Sequence, residues 1–137
     1  MKLKLFSLAA PLLFSCVTYA SAWTGEKTEG MYSDMVINNI HTGVVDSRPY
    51  FCIEASKNGS NFTGCAVGGY SNWAAGYELF YNQAMYYYAT GQLIRIYYQP
   101  YHWPNADFNH ITPNAIAGFS TCSTVEHCFG PSRQAGQ

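Results

Sequence analysis

Charge is what this sequence has least of. Among 137 residues there are seven Lys and Arg against eight Asp and Glu, and charged residues make up 11% of the chain. No basic run exists, which removes the footprint that nucleic acids and anionic lipid surfaces require. No apolar stretch reaches the roughly 18 residues needed to span a bilayer. The signatures G-x-S-x-G and H-E-x-x-H are missing, so a Ser-His-Asp arrangement from Ser33, Asp34 and one of His41, His102, His110 or His127 would have to be assembled by the fold alone. No two carboxylates among Glu26, Glu29, Asp34 and Glu54 are placed together for glycoside hydrolysis. There is no C-x-x-C and no histidine pair at ligand spacing, so neither a metal nor any other cofactor is expected.

What is present begins with a leader. Lys2 and Lys4 make a basic start, "LFSLAAPLLFSCV" a short apolar stretch, and "ASA" at Ala20–Ala22 a small-x-small cleavage site. Residues 1–22 therefore read as a signal peptide, with Trp23 opening the mature chain. The competing reading, lipid attachment at Cys16 in "LFSC", suffers from the bulk of Phe14. The protein is expected to be exported to the periplasm and then released. Residues 23–137 are sized for one domain with one core.

Once the leader is removed, the cations are Lys27, Arg48, Lys57, Arg95 and Arg133. So few charges beside 17% aromatics is unusual for a lone soluble monomer. Either other subunits cover part of the surface, or it binds something uncharged and rich in hydroxyls.

Four cysteines remain, Cys52, Cys65, Cys122 and Cys128, with three possible pairings. "PYFCIEAS" alternates with period two and "FTGCAVGG" reads as its hairpin partner across the turn-rich "KNGSN". Hairpin pairing brings Cys52 beside Cys65 and leaves Cys122 and Cys128 to close a small loop.

Further strands are expected in "DMVINNIHTGVV", "QLIRIYYQPY" and "NAIAGFSTC", with "HWPNADFNHITP" as a loop. Between them Tyr77, Phe80, Tyr81, Ala84 and Tyr88 recur on one face of a helix, which Ser71 or Asn72 can cap and Gly91 can end. One helix laid on short antiparallel strands predicts an α+β, mainly β domain of the small-barrel kind, with the OB-fold as its commonest form. Such barrels bind oligosaccharides or oligonucleotides, and the charge balance disfavours the latter. In "GMYSDM", Tyr32 and Ser33 could offer a sugar a ring face and a hydroxyl. On composition alone Lys57 reads first as a solvated turn lysine, and Arg95 as a paired strand residue.

The blocks "WTG", "YSD", "YFCI", Lys57, "TGQLIRIYYQ" and "CFGP" together resemble the B subunits of AB5 toxins of the subtilase cytotoxin and typhoid-toxin (pertussis-like) group. The resemblance covers nearly all of Trp23 to Pro131. It implies an OB-fold, a homopentameric ring, no enzymatic activity, and binding of sialylated glycans on host glycoproteins or glycolipids. It also implies a separate toxin A subunit as partner. The family's glycan site falls on Tyr32, Ser33 and Asp34, on Lys57 and on Arg95, with the Ser33 hydroxyl bonding the sialic carboxylate. The pore-lining helices would offer Glu78, Asn82, Met85 and Gln92 to the A subunit. Two departures stand out: Met31 replaces a frequent tyrosine, and the hairpin after Lys57 is short. The rival readings, a monomeric periplasmic inhibitor or structural protein and a small secreted hydrolase, predict no ring.

Overall fold

The computed structural model describes residues 30–70, 73–100, 102–103, 110–125 and 127–132. The leader, the "WTG" block, the candidate caps Ser71 and Asn72, and Arg133 lie outside the described residues. Among the described residues are six strands, β1 (Gly30–Val45), β2 (Arg48–Lys57), β3 (Ser60–Val67), β4 (Ile94–Gln99), β5 (Ala115–Thr124) and β6 (His127–Cys128). A 3₁₀ turn at Ala74–Gly76 leads into the helix α1 (Tyr77–Thr90) between β3 and β4.

Local sequence explains the meander. Asp46 and Ser47 both take positive φ (47° and 62°), as do Asn58 and Gly59 (43° and 87°). Each pair forms a two-residue turn whose twist matches the flanking strands, so that Val45 lies opposite Arg48 and Lys57 opposite Ser60. Cys52 then falls directly opposite Cys65, and the two are bonded. Cys122 and Cys128 are likewise paired across β5 and β6 and bonded. The short β6 went unread in the sequence because two residues carry no periodicity.

The strand order is β3-β2-β1-β4-β5-β6, and a parallel bridge between Cys65 and Ala115 joins β3 to β5. That closure, with one helix between β3 and β4, is the OB-fold. Met35, Ile37, Phe51, Ile53, Ile94, Ile96 and Ile116 fill its interior under α1. A second cluster forms around the Cys52–Cys65 bond and Trp103, which is buried and donates its indole N–H to the Asn114 carbonyl (3.1 Å). Burial of the neighbouring His102 lowers its pKa.

The helix needs two corrections to the expected pattern. Tyr77, Phe80, Tyr81 and Ala84 do pack on the core, but the last turn buries Tyr87 and leaves Tyr88 47% exposed. Phe119 is the reason: it meets Phe80 and Tyr87 edge-on (6.2 and 5.8 Å), drawing the buried face along the i, i+7 row rather than to Tyr88. Burial accordingly raises the Tyr87 pKa. Gln92, expected on the exposed stripe, lies beyond the helix. Gly91 ends α1 at φ 64°, its N–H bonding the Tyr87 carbonyl, and Gln92 Nε2 donates to the carbonyls of Leu93 and Cys122 (3.1 and 3.0 Å). Glu78, Asn82 and Met85 are exposed as expected.

Removing the hairpin bridge as Cys52→Ala with Cys65→Ala should lower stability by about 3 kcal/mol through the freed unfolded chain. Equilibrium urea denaturation checks this.

Candidate functional site

The ladder between β1 and β4 pairs Tyr32 with Ile96 and Met35 with Ile94, and breaks between them. Ser33 and Asp34 occupy that bulge, with Asp34 at φ 61°, a left-handed conformation that aspartate tolerates better than most residues. The bulge decides where the side chains point. Ser33 shares parity with Met35 and Ile37, which face the core, so an unbroken strand would send it inward. Displaced, it meets Arg95 on the opposite face of β4.

Arg95 is 7% exposed. Its Nε donates to Ser33 Oγ (2.8 Å), and its Nη1 to the carbonyls of Pro131 (2.8 Å) and Gly130 (3.3 Å). Tyr97, two residues along β4, donates its hydroxyl to the same Pro131 carbonyl (2.7 Å). The C-terminal segment is thus strapped across the outer face of β4. Gly130 is required in that strap, since a Cβ there would run into Ser120 Oγ and sit 2.7 Å from the Tyr97 hydroxyl.

Asp34 is also buried, and its Oδ2 accepts from Lys57 Nζ at 2.7 Å. Lys57 is therefore no solvated turn lysine: the tight Asn58-Gly59 turn ends β2 where the ammonium reaches the bulge, with 34% of the side chain still exposed. Asp34 also lies near the sulfurs of Cys122 and Cys128. Those sulfurs are bonded to each other, so the trio offers no thiolate to a metal.

Beside the bulge stands an aromatic wall. Tyr32, 38% exposed, stacks on Tyr98 (centroids 5.6 Å apart, 17° between planes), and Phe62 leans on both, 5.6 Å from Tyr32 and 4.9 Å from Tyr98. A Cβ on Gly30 would run into the Tyr98 ring, so this glycine makes room for the stack. The structure gathers all five expected residues, Tyr32, Ser33, Asp34, Lys57 and Arg95, around one bulge. It adds Tyr98 and Phe62, which sequence reasoning missed. Tyr98 stood in the apolar row of "LIRIYY", but only the β1–β4 register brings it to Tyr32.

Known proteins share this sequence and fold. The chain is 42% identical over 139 residues, 98% of both sequences, to the B component of subtilase cytotoxin from Escherichia coli. The chain belongs to the B-subunit family of subtilase cytotoxin. No family profile matches it. Among solved structures, one described for subtilase cytotoxin SubAB assembly is 46% identical, with a TM-score of 0.73 over 80% of this chain and 99% of that one. An E. coli AB5 toxin structure with Neu5Gc-2,3Gal-1,3GlcNAc is 46% identical, TM-score 0.76, covering 82% and 97%. A Salmonella typhi PltB homopentamer mutant with Neu5Ac-alpha-2-3-Gal-beta-1-4-GlcNAc is 42% identical, TM-score 0.75, covering 81% and 99%.

Asp34→Asn keeps a residue suited to the left-handed turn but discharges the partner of Lys57. It should cost about 1–2 kcal/mol, given the partial exposure of the lysine. Asp34→Ala should cost more, because alanine lacks local side-chain hydrogen bonding at positive φ. Urea midpoints of the three proteins test the order.

Proposed function

We propose that this chain is the receptor-binding B subunit of an AB5-type toxin, exported by residues 1–22, which assembles as a homopentamer, binds sialylated host glycans at the β1 bulge and delivers a separate A subunit. It is not an enzyme. The observation that carries the site assignment is the Ser33 hydroxyl held by Arg95. Because Oγ accepts the Nε–H of Arg95 (2.8 Å), its own proton is left to point away from the guanidinium, toward an incoming acceptor. The charges favour an anion: Arg95 is held by a hydroxyl and two carbonyls, while Lys57 neutralises Asp34. Among the described residues the bulge is left with one positive charge that has no carboxylate partner, and a sialic carboxylate suits it.

Roles divide by burial. Ser33 donates to the carboxylate. Lys57 uses one N–H on Asp34 and offers the others to sugar oxygens. Tyr32, backed by Tyr98 and Phe62, supplies the ring face on which a sugar's C–H groups pack. Asp34 and Arg95, 4% and 7% exposed, act as positioning residues, the first holding Lys57 and the second Ser33. The relatives support the ligand class, one being solved with a Neu5Gc-terminated and another with a Neu5Ac-terminated glycan. The exposed helix residues Glu78, Asn82 and Met85 are the surface proposed for the A subunit.

On a glycan array the mature protein should bind sialylated glycans and not their desialylated forms. Ser33→Ala should weaken binding more than about tenfold, the loss of one charge-assisted hydrogen bond, while native mass spectrometry still shows the pentamer. Unchanged affinity in the variant would sink the Ser33 assignment.

A further inference from the structure

Phe129 is 85% exposed, more than any other large apolar residue among the described ones. Its backbone is nevertheless fixed on both sides. Cys128 before it is bonded to Cys122, its own N–H donates to the Thr121 carbonyl (3.0 Å), and the carbonyls of Gly130 and Pro131 after it are held by Arg95 and Tyr97. A disulfide and a buried arginine thus anchor a short edge whose large side chain stands in solvent. That is the form of a preorganised knob, whose ordering cost has been met before it meets a partner.

A matching hollow lies at the other end of the strand order. A groove of about 350 Å³ runs over β1, β2 and β3, lined by Asn39, Ile40, His41, Glu54, Thr63 and Ile111. Ile111 is 42% exposed there. The polar groups at its rim already satisfy one another: Asn39 Nδ2 donates to Glu54 Oε2 (2.7 Å), and His41 Nε2 lies 2.9 Å from the Tyr50 hydroxyl. A groove that exposes Ile111 and has an internally paired rim suits an apolar side chain better than a sugar, whose hydroxyls need unspent partners.

A ring of identical subunits joined head to tail needs two different, mutually complementary patches on each copy. We propose that Phe129 of one subunit seats against Ile111 in this groove of the next copy of this chain, forming the apolar centre of the ring contact. This rests on the pentameric reading above.

The test uses the mature chain. Native mass spectrometry through a dilution series should show Phe129→Ser falling to monomers at concentrations at least tenfold higher than the wild type, with Phe129→Leu close to wild type. In non-reducing gels, Phe129→Cys combined with Ile111→Cys should give a ladder of covalent multimers up to the pentamer that neither single variant gives. A monomeric wild type would overturn the ring itself. A pentameric wild type with an equally dilution-resistant Phe129→Ser would leave the ring standing and overturn the knob. A double-cysteine variant that is pentameric yet gives no ladder would overturn the pairing with the groove.

Discussion

The buried guanidinium of Arg95 is the constraint on which the rest of this molecule's outer face depends. Taking a charge out of water costs several kcal/mol unless every donor finds a partner. Here the partners come from both ends of the chain: Ser33 in the first strand and the carbonyls of Gly130 and Pro131 in the last described segment. A lysine would present one ammonium point and could not tie the bulge and the strap in fixed directions, as a planar fork does. None of these three acceptors is a carboxylate, so the hydrogen bonds orient the guanidinium without cancelling its charge. A fold that holds a positive charge in that way has kept an electrostatic preference for an anion in reserve.

The bulge is the second half of the same device. An extra residue in β1 would ordinarily be a defect in a barrel whose closure depends on register. Here it turns Ser33 outward to Arg95 while Met35 and Ile37 keep their places in the core. The left-handed φ of Asp34 carries a strain of about 1–2 kcal/mol, which the Lys57 ion pair and the surrounding packing over-determine. Strain held in place by surrounding structure is common at binding sites, because it presents polar groups that an unbroken ladder would hide.

Much of this was legible in the sequence. Alternation in "PYFCIEAS" and the Asn58-Gly59 turn fixed the hairpin and so the Cys52–Cys65 pair, since local geometry leaves those residues little choice. The "YSD", Lys57 and Arg95 positions were singled out through family resemblance, not through composition, which favoured a solvated lysine and a paired strand arginine. What stayed hidden depended on non-local packing. Tyr87 displaced Tyr88 from the buried face because of Phe119, which lies in a strand 29 positions beyond Thr90. Tyr98 joined the aromatic wall through a cross-strand register that no window along the chain contains. Gln92 matched the helix's polar stripe by counting, but Gly91 had already ended the helix.

A single shallow sugar site of this kind is weak, on the order of millimolar or about −4 kcal/mol. Lectins of this sort gain their affinity from several sites acting together, and that gain is lost if the sites cannot be engaged at once. Multivalent binding therefore asks for rigidity twice, within each site and between sites. In this chain both demands converge on one residue, because the arginine that aims Ser33 also fixes the segment carrying Phe129. If the ring closes through that segment, orientation of the sugar's carboxylate and orientation of the neighbouring subunit are set by the same buried fork. The two functions then cannot drift apart in sequence independently: a substitution that frees the strap also frees the hydroxyl. Such coupling is a reason for a small barrel with few charges to bury this arginine so completely.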